Sequence, residues 1–255
     1  MKIISLNTWG GRAGKEKFFS FLKEQSASTD IFCLQEMWNA PLASLEGVKA
    51  GGVDLTHATV LVEGVKEISE LLPEYEAYFH PHFEERYGLA MFVKKSIPVD
   101  VVGEVFVHKH KGYMPEDDIG KHARNIQYVQ FQYNGSPLTV VNFHGLWNGQ
   151  GKTDTPDRIE QSEKIVAFLK QVKGSVVLTG DFNLRPDAES IRIIENTPLR
   201  NLIAEYGVTS TRTSLYGKSE QFADYTFVSS DIKIKDFRVL PDEVSDHAAL
   251  SIEIE

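Results

Sequence analysis

A single cysteine, Cys33, stands in 255 residues. One thiol cannot form an intramolecular disulfide, and it cannot build a cysteine-only zinc site. A reducing, cytoplasmic setting is therefore the simplest expectation. Positive charge is also short: 27 Lys and Arg against 36 Asp and Glu leave a formal net charge of −9. A dedicated binder of bulk nucleic acid carries a basic excess, so that class is disfavoured, although a local basic groove is compatible with an acidic total. No apolar run approaches the roughly 18 residues that span a bilayer. The apolar stretch within Met1–Asn7 is too short for a signal peptide. Repeats, low-complexity tracts and linker-like compositions are missing. The reading is a soluble, monomeric protein whose residues 1–255 form one domain.

The 42% hydrophobic and 25% charged residues suffice for a globular core. Strand patterns fall at 2–9, 30–36, 75–80, 88–94, 97–107, 125–132, 137–144, 175–179, 222–228, 232–239 and 248–254. Helical patterns fall at Lys15–Gln25, Val65–Leu72 and 155–173, with short helices at 187–195 and 199–206. The third helix opens on Thr155-Pro156-Asp157, a capping hydroxyl, a first-turn proline and a first-turn acid. Ile159, Val166 and Leu169 supply its apolar face, and Gly174 ends it. Strands mixed with helices predict an α/β fold, and the last strands come as neighbours, which argues against a purely parallel sheet. The segment 108–123, polar and rich in His and Lys, reads as a surface loop able to cover an anionic substrate.

Polar residues recur where apolar strands end. Asn7 follows Ile3–Leu6, Glu36 follows Ile31–Gln35, and His144 follows Val140–Phe143. Asp181 and Asn183 follow Val176–Gly180, and Asp246-His247 precede the last strand. Rigid strand ends are where sites are built. Acid and amide oxygens without thiolates suit a hard cation, Mg²⁺ or Mn²⁺, and histidines beside acids suit proton transfer and anion stabilisation.

Leu34-Gln35-Glu36, Gly180-Asp181-Phe182-Asn183, Asp224-Tyr225 and Ser245-Asp246-His247 stand in the order and spacing of one family. On these motifs the sequence resembles the endonuclease/exonuclease/phosphatase superfamily over nearly its whole length. The resemblance implies a four-layer α/β sandwich with two mixed β-sheets flanked by helices, and metal-dependent hydrolysis of phosphoester bonds. It implies Glu36 as a metal ligand with Asn7 and Asp246 beside it, and Asp181 as the group that orients or deprotonates the attacking water. Asn183 would hold a phosphate oxygen or the nucleophile, and His247, fixed by Asp224, would donate to the phosphoryl group. Asn142-Phe143-His144 looks like the Asn-x-His of pancreatic-type deoxyribonucleases, sphingomyelinases and inositol-polyphosphate phosphatases, not of apurinic endonucleases. His144 would then serve the phosphate, with Glu85 as a candidate acidic partner.

Arg124, Asn142, Trp147 and Asn148 are the candidate substrate contacts. One departure stands out: many relatives carry Arg two residues before the Asp-Tyr aspartate, where this chain has Phe222. The substrate expected is a phosphoester, small or lipid-linked in preference to DNA or RNA; a nuclease, or an inactive scaffold of the same fold, is the alternative. His80-x-His82 and His108-x-His110 read as solvated loop histidines, since no third ligand for zinc is evident. Gly145–Thr153 ends in Gly-Lys-Thr but has five residues, not four, between its glycines, so it is not a nucleotide-phosphate loop. Cys33 reads as a buried structural thiol.

Overall fold

In the computed structural model, residues 1–40, 49–50, 53–54, 60–115 and 119–255 are described. The chain runs β1 (Lys2–Asn7), α1 (Lys15–Ser26), β2 (Ile31–Trp38), β3 (Lys49–Ala50), β4 (Val53–Asp54), α2 (Gly64–Leu71), β5 (Tyr75–Phe83), β6 (Tyr87–Lys94) and β7 (Val99–His108). It continues with β8 (Arg124–Tyr133), β9 (Ser136–His144), α3 (Pro156–Leu169), β10 (Ser175–Asp181), α4 (Glu189–Glu195) and β11 (Leu199–Asn201). It closes with α5 (Leu202–Glu205), β12 (Asp224–Ser229), β13 (Ile234–Val239) and β14 (Leu250–Ile254). Short 3₁₀ turns lie at Trp9–Gly11 and Ile119–Lys121.

Two six-stranded mixed sheets carry the fold, ordered β13-β14-β1-β2-β6-β5 and β11-β12-β10-β9-β8-β7. Each has one parallel pair, β1 with β2 and β9 with β10, and a crossover helix joins each pair, α1 and α3 respectively. The other pairings are antiparallel. This is the four-layer α/β sandwich.

The strands read as continuous apolar runs because both their faces are covered. In the first sheet Ile3, Ile31, Cys33 and Met91 join the core shared with Val140, Val177 and Phe227 of the second. The alternate residues Ile4, Leu6, Phe32, Leu34 and Phe92 pack with Phe18 and Leu22 of α1 and Ile68 of α2. Phe18 and Leu22 are fully buried, each contributing about 1.5–3 kcal/mol by its removal from water. Cys33 lies in the inter-sheet core, where burial pushes its thiol far above the usual range and leaves it inert.

Three local expectations are corrected. The segment 199–206 is not one helix: Leu199–Asn201 pair with β12, from Leu199↔Ser229 to Asn201↔Phe227, and only then does α5 start. The sheet edge overrides local propensity, and Asn201 caps the helix by accepting from Ile203 N at 3.0 Å. Thr155 occupies the cap position of α3 without a capping bond, its Oγ1 unpartnered. The buried face of α3 is Arg158, Gln161, Ser162 and Ile165, while Ile159, Val166 and Leu169 are only partly covered. Those four positions have helical spacing, but three are polar, so hydrophobicity alone does not mark the face.

Candidate active site

The two parallel pairs end at the same rim. Asn7 sits opposite Gln35 at the end of β1, and Asp181 pairs with both His144 of β9 and Asp224 of β12. Gly180 makes this register possible. Its φ is +146°, and a Cβ there would run into the carbonyl oxygen of Phe143.

Three residues of the cleft lining adopt left-handed backbone conformations. Between Leu34↔Ala90 and Met37↔Gly88, β2 carries one residue more than β6, a bulge at Gln35-Glu36. Glu36 adopts φ +57°, Asn183 φ +54° and Trp9 φ +51°, and all three line one cleft of about 320 Å³. Left-handed conformations cost a non-glycine residue about 1–3 kcal/mol and cluster where function over-determines them.

Asp181 is fixed from both sides. Its Oδ2 accepts from Asn7 Nδ2 at 2.8 Å and its Oδ1 from Asn183 N at 2.8 Å. His247 Nε2 lies 3.6 Å and His144 Nε2 3.7 Å from Oδ2. Burial by itself would raise this carboxyl, but His247, Lys152, His144 and Arg212 outweigh it and hold Asp181 well below the usual carboxylate range. His247 Nδ1 lies 2.9 Å from each Asp224 oxygen and donates to that carboxylate. Burial would lower this imidazole, but Asp224 and Asp181 overcome it and raise it.

His144 is the contrasting case. Burial and the Arg124 guanidinium push it well below the usual value, so it is neutral at pH 7. Arg124 Nη1, a donor only, lies 3.4 Å from His144 Nδ1. The proton of the neutral ring therefore sits on Nε2, which faces Asp181 and, at 4.0 Å, Glu36 Oε1. Glu85 is exposed in the turn between β5 and β6 and is not this partner.

Glu36 keeps 26% of its side chain exposed to the cleft. Partial burial raises its carboxyl, and Asp246 and Asp181 raise it further. Asp246 is loosely held, with Arg212 Nη1 at 3.5 Å and His247 Nε2 at 3.9 Å. Asp181, Asp224 and His247 also bring ligand atoms within 4.8 Å of one another. That group is already paired internally through His247 and Asp224, so the acids without a close ion pair are Glu36 and Asp246. Their oxygens, with the Asn7 amide adjoining and no thiol in the cleft lining, fit a hard divalent cation.

Other sequence expectations fare differently. Arg124 and Trp147 line the cleft, and Arg124 Nε is buried without a partner. Asn142 does not line it. It is fully buried, taking Gln35 Nε2 at 2.7 Å and giving to Leu34 O at 3.1 Å and Gln127 Oε1 at 3.2 Å, so it joins the two sheets beneath the site. Asn148 accepts from Gln150 N at 3.0 Å within its own turn. His82 and His108 are buried strand residues, not solvated loop ones, and His82 stacks on buried His122 with ring centroids 4.5 Å apart. The loop 108–123 is accordingly not all surface: Gly120 and His122 border the cleft.

Sequence reasoning missed Lys152, Arg158 and Arg212. Lys152 is buried and donates from Nζ to Asn183 Oδ1 at 3.0 Å. Its Gly-Lys-Thr setting is visible in the sequence, but only as a failed nucleotide loop. Arg158 is fully buried and donates to the carbonyls of Leu146, Thr153 and Gly151 at 3.1, 2.5 and 2.8 Å, clamping the loop that carries Trp147 and Lys152. Nothing in the sequence marks Arg212.

The model of the endonuclease/exonuclease/phosphatase family matches residues 4–247. The chain belongs to this family. Family members are phosphoester hydrolases, and they generally depend on a divalent metal. No curated protein matches the sequence. Among solved structures it is similar to a mannosyl-6-phosphatase of Bacteroides thetaiotaomicron, at 16% identity and TM-score 0.75, over 100% of this chain and 99% of that one. A family protein of Leptotrichia buccalis matches at 19% identity and TM-score 0.72, over 100% and 99% of the two chains. A humanized D. rerio TDP2 matches at 16% identity and TM-score 0.65, over 100% and 98%. At these identities the likeness concerns the fold.

Proposed function

We propose that this chain hydrolyses a small phosphoester with a divalent cation, Mg²⁺ or Mn²⁺, as cofactor. One observation carries the reading: the doubly fixed Asp181 carboxylate, ringed by His144, His247 and Lys152, shares one cleft with the loosely held Glu36 and Asp246. Glu36 and Asp246 would hold the cation, which when bound would neutralise charge on the phosphoryl group. Asn7, expected beside them as a ligand, instead donates from Nδ2 to Glu36 and Asp181 while its oxygen accepts from Trp9 N, so it would orient the carboxylates.

Asp181 orients the attacking water and takes its proton as the water oxygen bonds to phosphorus. The ester P–O bond breaks, and the departing alkoxide takes up a proton from solvent to leave as the alcohol. Asn183, whose side-chain oxygen accepts from Lys152 and whose Nδ2 donates to Gly145 O, is held beside Asp181 at the water's position. His247, kept protonated by Asp224, and His144, carrying its proton on Nε2, donate to the phosphoryl oxygens that gain charge. Little covalent chemistry is needed, so positioning and charge complementarity carry the rate.

Cleft size favours a small substrate over a polymer. About 320 Å³ lies at the small-ligand end of pocket volumes, and a net charge of −9 opposes a polyanion. The test is a panel of sugar phosphates, inositol phosphates, sphingomyelin, supercoiled DNA and RNA at two salt concentrations. Turnover of a small phosphoester with weak salt dependence is expected. Preferential cleavage of DNA or RNA with a steep salt dependence would contradict the substrate class.

A further inference from the structure

Arg212 lines the cleft, and the mechanism above gives it no task. Its segment is laced to both chain segments that bear His247 and Asp224. Arg212 forms an antiparallel bridge with His247, and Thr211 Oγ1 accepts from Ala223 N at 3.1 Å and Asp224 N at 3.2 Å. Thr213 Oγ1 donates to Ser245 O at 2.6 Å. The backbone is thus fixed, and the side chain is too: it is 5% exposed, and its guanidinium carbon lies 3.9 Å from the Tyr216 ring centroid.

That guanidinium is nevertheless under-used. Nε and Nη1 are buried and make no hydrogen bond. The nearest carboxylate oxygen, Asp246 Oδ2, stands 3.5 Å from Nη1. A structural Arg–carboxylate pair closes to 2.7–2.9 Å, commonly through two parallel bonds. A single loose contact, with Nε and Nη1 unpaired, leaves this guanidinium with donor capacity that no protein acceptor uses. The residues leading into Asp224 are the uncharged Phe222 and Ala223, and Arg212 supplies a buried, fixed positive charge at that end. The sheet order β12-β10-β9-β8 sets Asp224, Asp181, His144 and Arg124 in a row. Arg124 and Arg212 therefore enter the cleft from opposite ends of that row.

We infer that Arg212 is an anion-binding residue of this cleft, holding a non-bridging phosphoryl oxygen from the side opposite Arg124. The inference rests on the phosphoester reading for the identity of the anion. It is tested by calorimetric titration of inorganic phosphate into the full-length protein with Mg²⁺, comparing wild type, Arg212→Met and Arg212→Lys. Mg²⁺ affinity, thermal midpoint and p-nitrophenyl phosphate kinetics are recorded for each.

In Arg212→Met, phosphate Kd should rise about 10- to 100-fold, with Mg²⁺ affinity and midpoint near wild type. Arg212→Lys, a point charge without the fork, should recover part of that loss. If Arg212→Met does not fold, a several-fold weakening in Arg212→Lys carries the test. Unchanged phosphate binding in the variants, or a loss that tracks Mg²⁺ affinity, overturns the inference in favour of a structural partner for Asp246. A wild type that binds phosphate through Arg212 but hydrolyses nothing defeats the hydrolase reading and leaves the anion site standing. A wild type that binds no phosphate defeats the anion site.

Discussion

Asp181 and Glu36 are both carboxylates, both at strand ends, and their surroundings drive them in opposite directions. Asp181 receives two hydrogen bonds and sits among four cationic or protonatable groups, so it stays ionised. Glu36 has one amide donor and acidic neighbours, and it is raised. Pairs pushed apart in this way mark divided roles. Glu36→Gln should weaken Mn²⁺ binding at least about tenfold, as loss of a ligand or its support does, with a thermal midpoint equal to or above wild type in EDTA. Calorimetric metal titration checks this, and an unchanged isotherm would remove Glu36 from the ligand set. The positions of these residues were legible in the sequence because each follows an apolar run. Their backbone strain was not, since the bulge at Gln35-Glu36 exists only through pairing with β6.

Elements explain where the sequence reading slipped. Strand alternation and turn residues located most of the strands, but Asn142 was read from its neighbour His144 as a site residue. Within β9 successive side chains face opposite ways, and residues two apart share a face. Asn142 and His144 do so, yet Asn142 lies one step deeper and its amide meets Gln35 and Gln127 between the sheets. Asn142→Ala should therefore cost about 1–3 kcal/mol of stability through unpaired buried amides, while KM changes little. Urea unfolding and steady-state kinetics check this pair of outcomes; a large KM change with intact stability would restore Asn142 to the substrate site. Helix α3 shows the converse, with a buried arginine clamping the loop ahead of it. Polar burial of this kind follows from tertiary carbonyls that no local pattern announces.

At the scale of the whole molecule, burial of imidazoles sets a pH dependence. His80, His82, His108, His122 and His144 are all lowered by burial, His108 to about 4. Each stays neutral in the folded protein and takes up a proton on unfolding once pH drops below the ordinary value of about 6.5. The unfolded state then binds more protons, so stability falls with pH by about 1.4 kcal/mol per unit for each such group. His247 and Glu36 are raised and act the other way, two groups against five. The urea midpoint should fall between pH 7 and pH 5.5; a constant or rising midpoint would contradict the buried-neutral assignment. None of this was legible from His-x-His spacings, which look alike whether a strand is solvated or enclosed.

The layered fold and the family were legible from the ordered motifs, and the cleft adds how their charges are arranged. That arrangement is tested most directly by hydrolysis of bis-p-nitrophenyl phosphate and p-nitrophenyl phosphate by wild type and Asp181→Asn, with Mg²⁺, Mn²⁺ or EDTA. Wild type should turn over at least one ester with either metal and lose that activity in EDTA. Asp181→Asn should fall by about 10²–10⁴-fold while keeping the wild-type circular dichroism spectrum. Activity that persists in EDTA, or an Asp181→Asn variant as fast as wild type, would contradict the account.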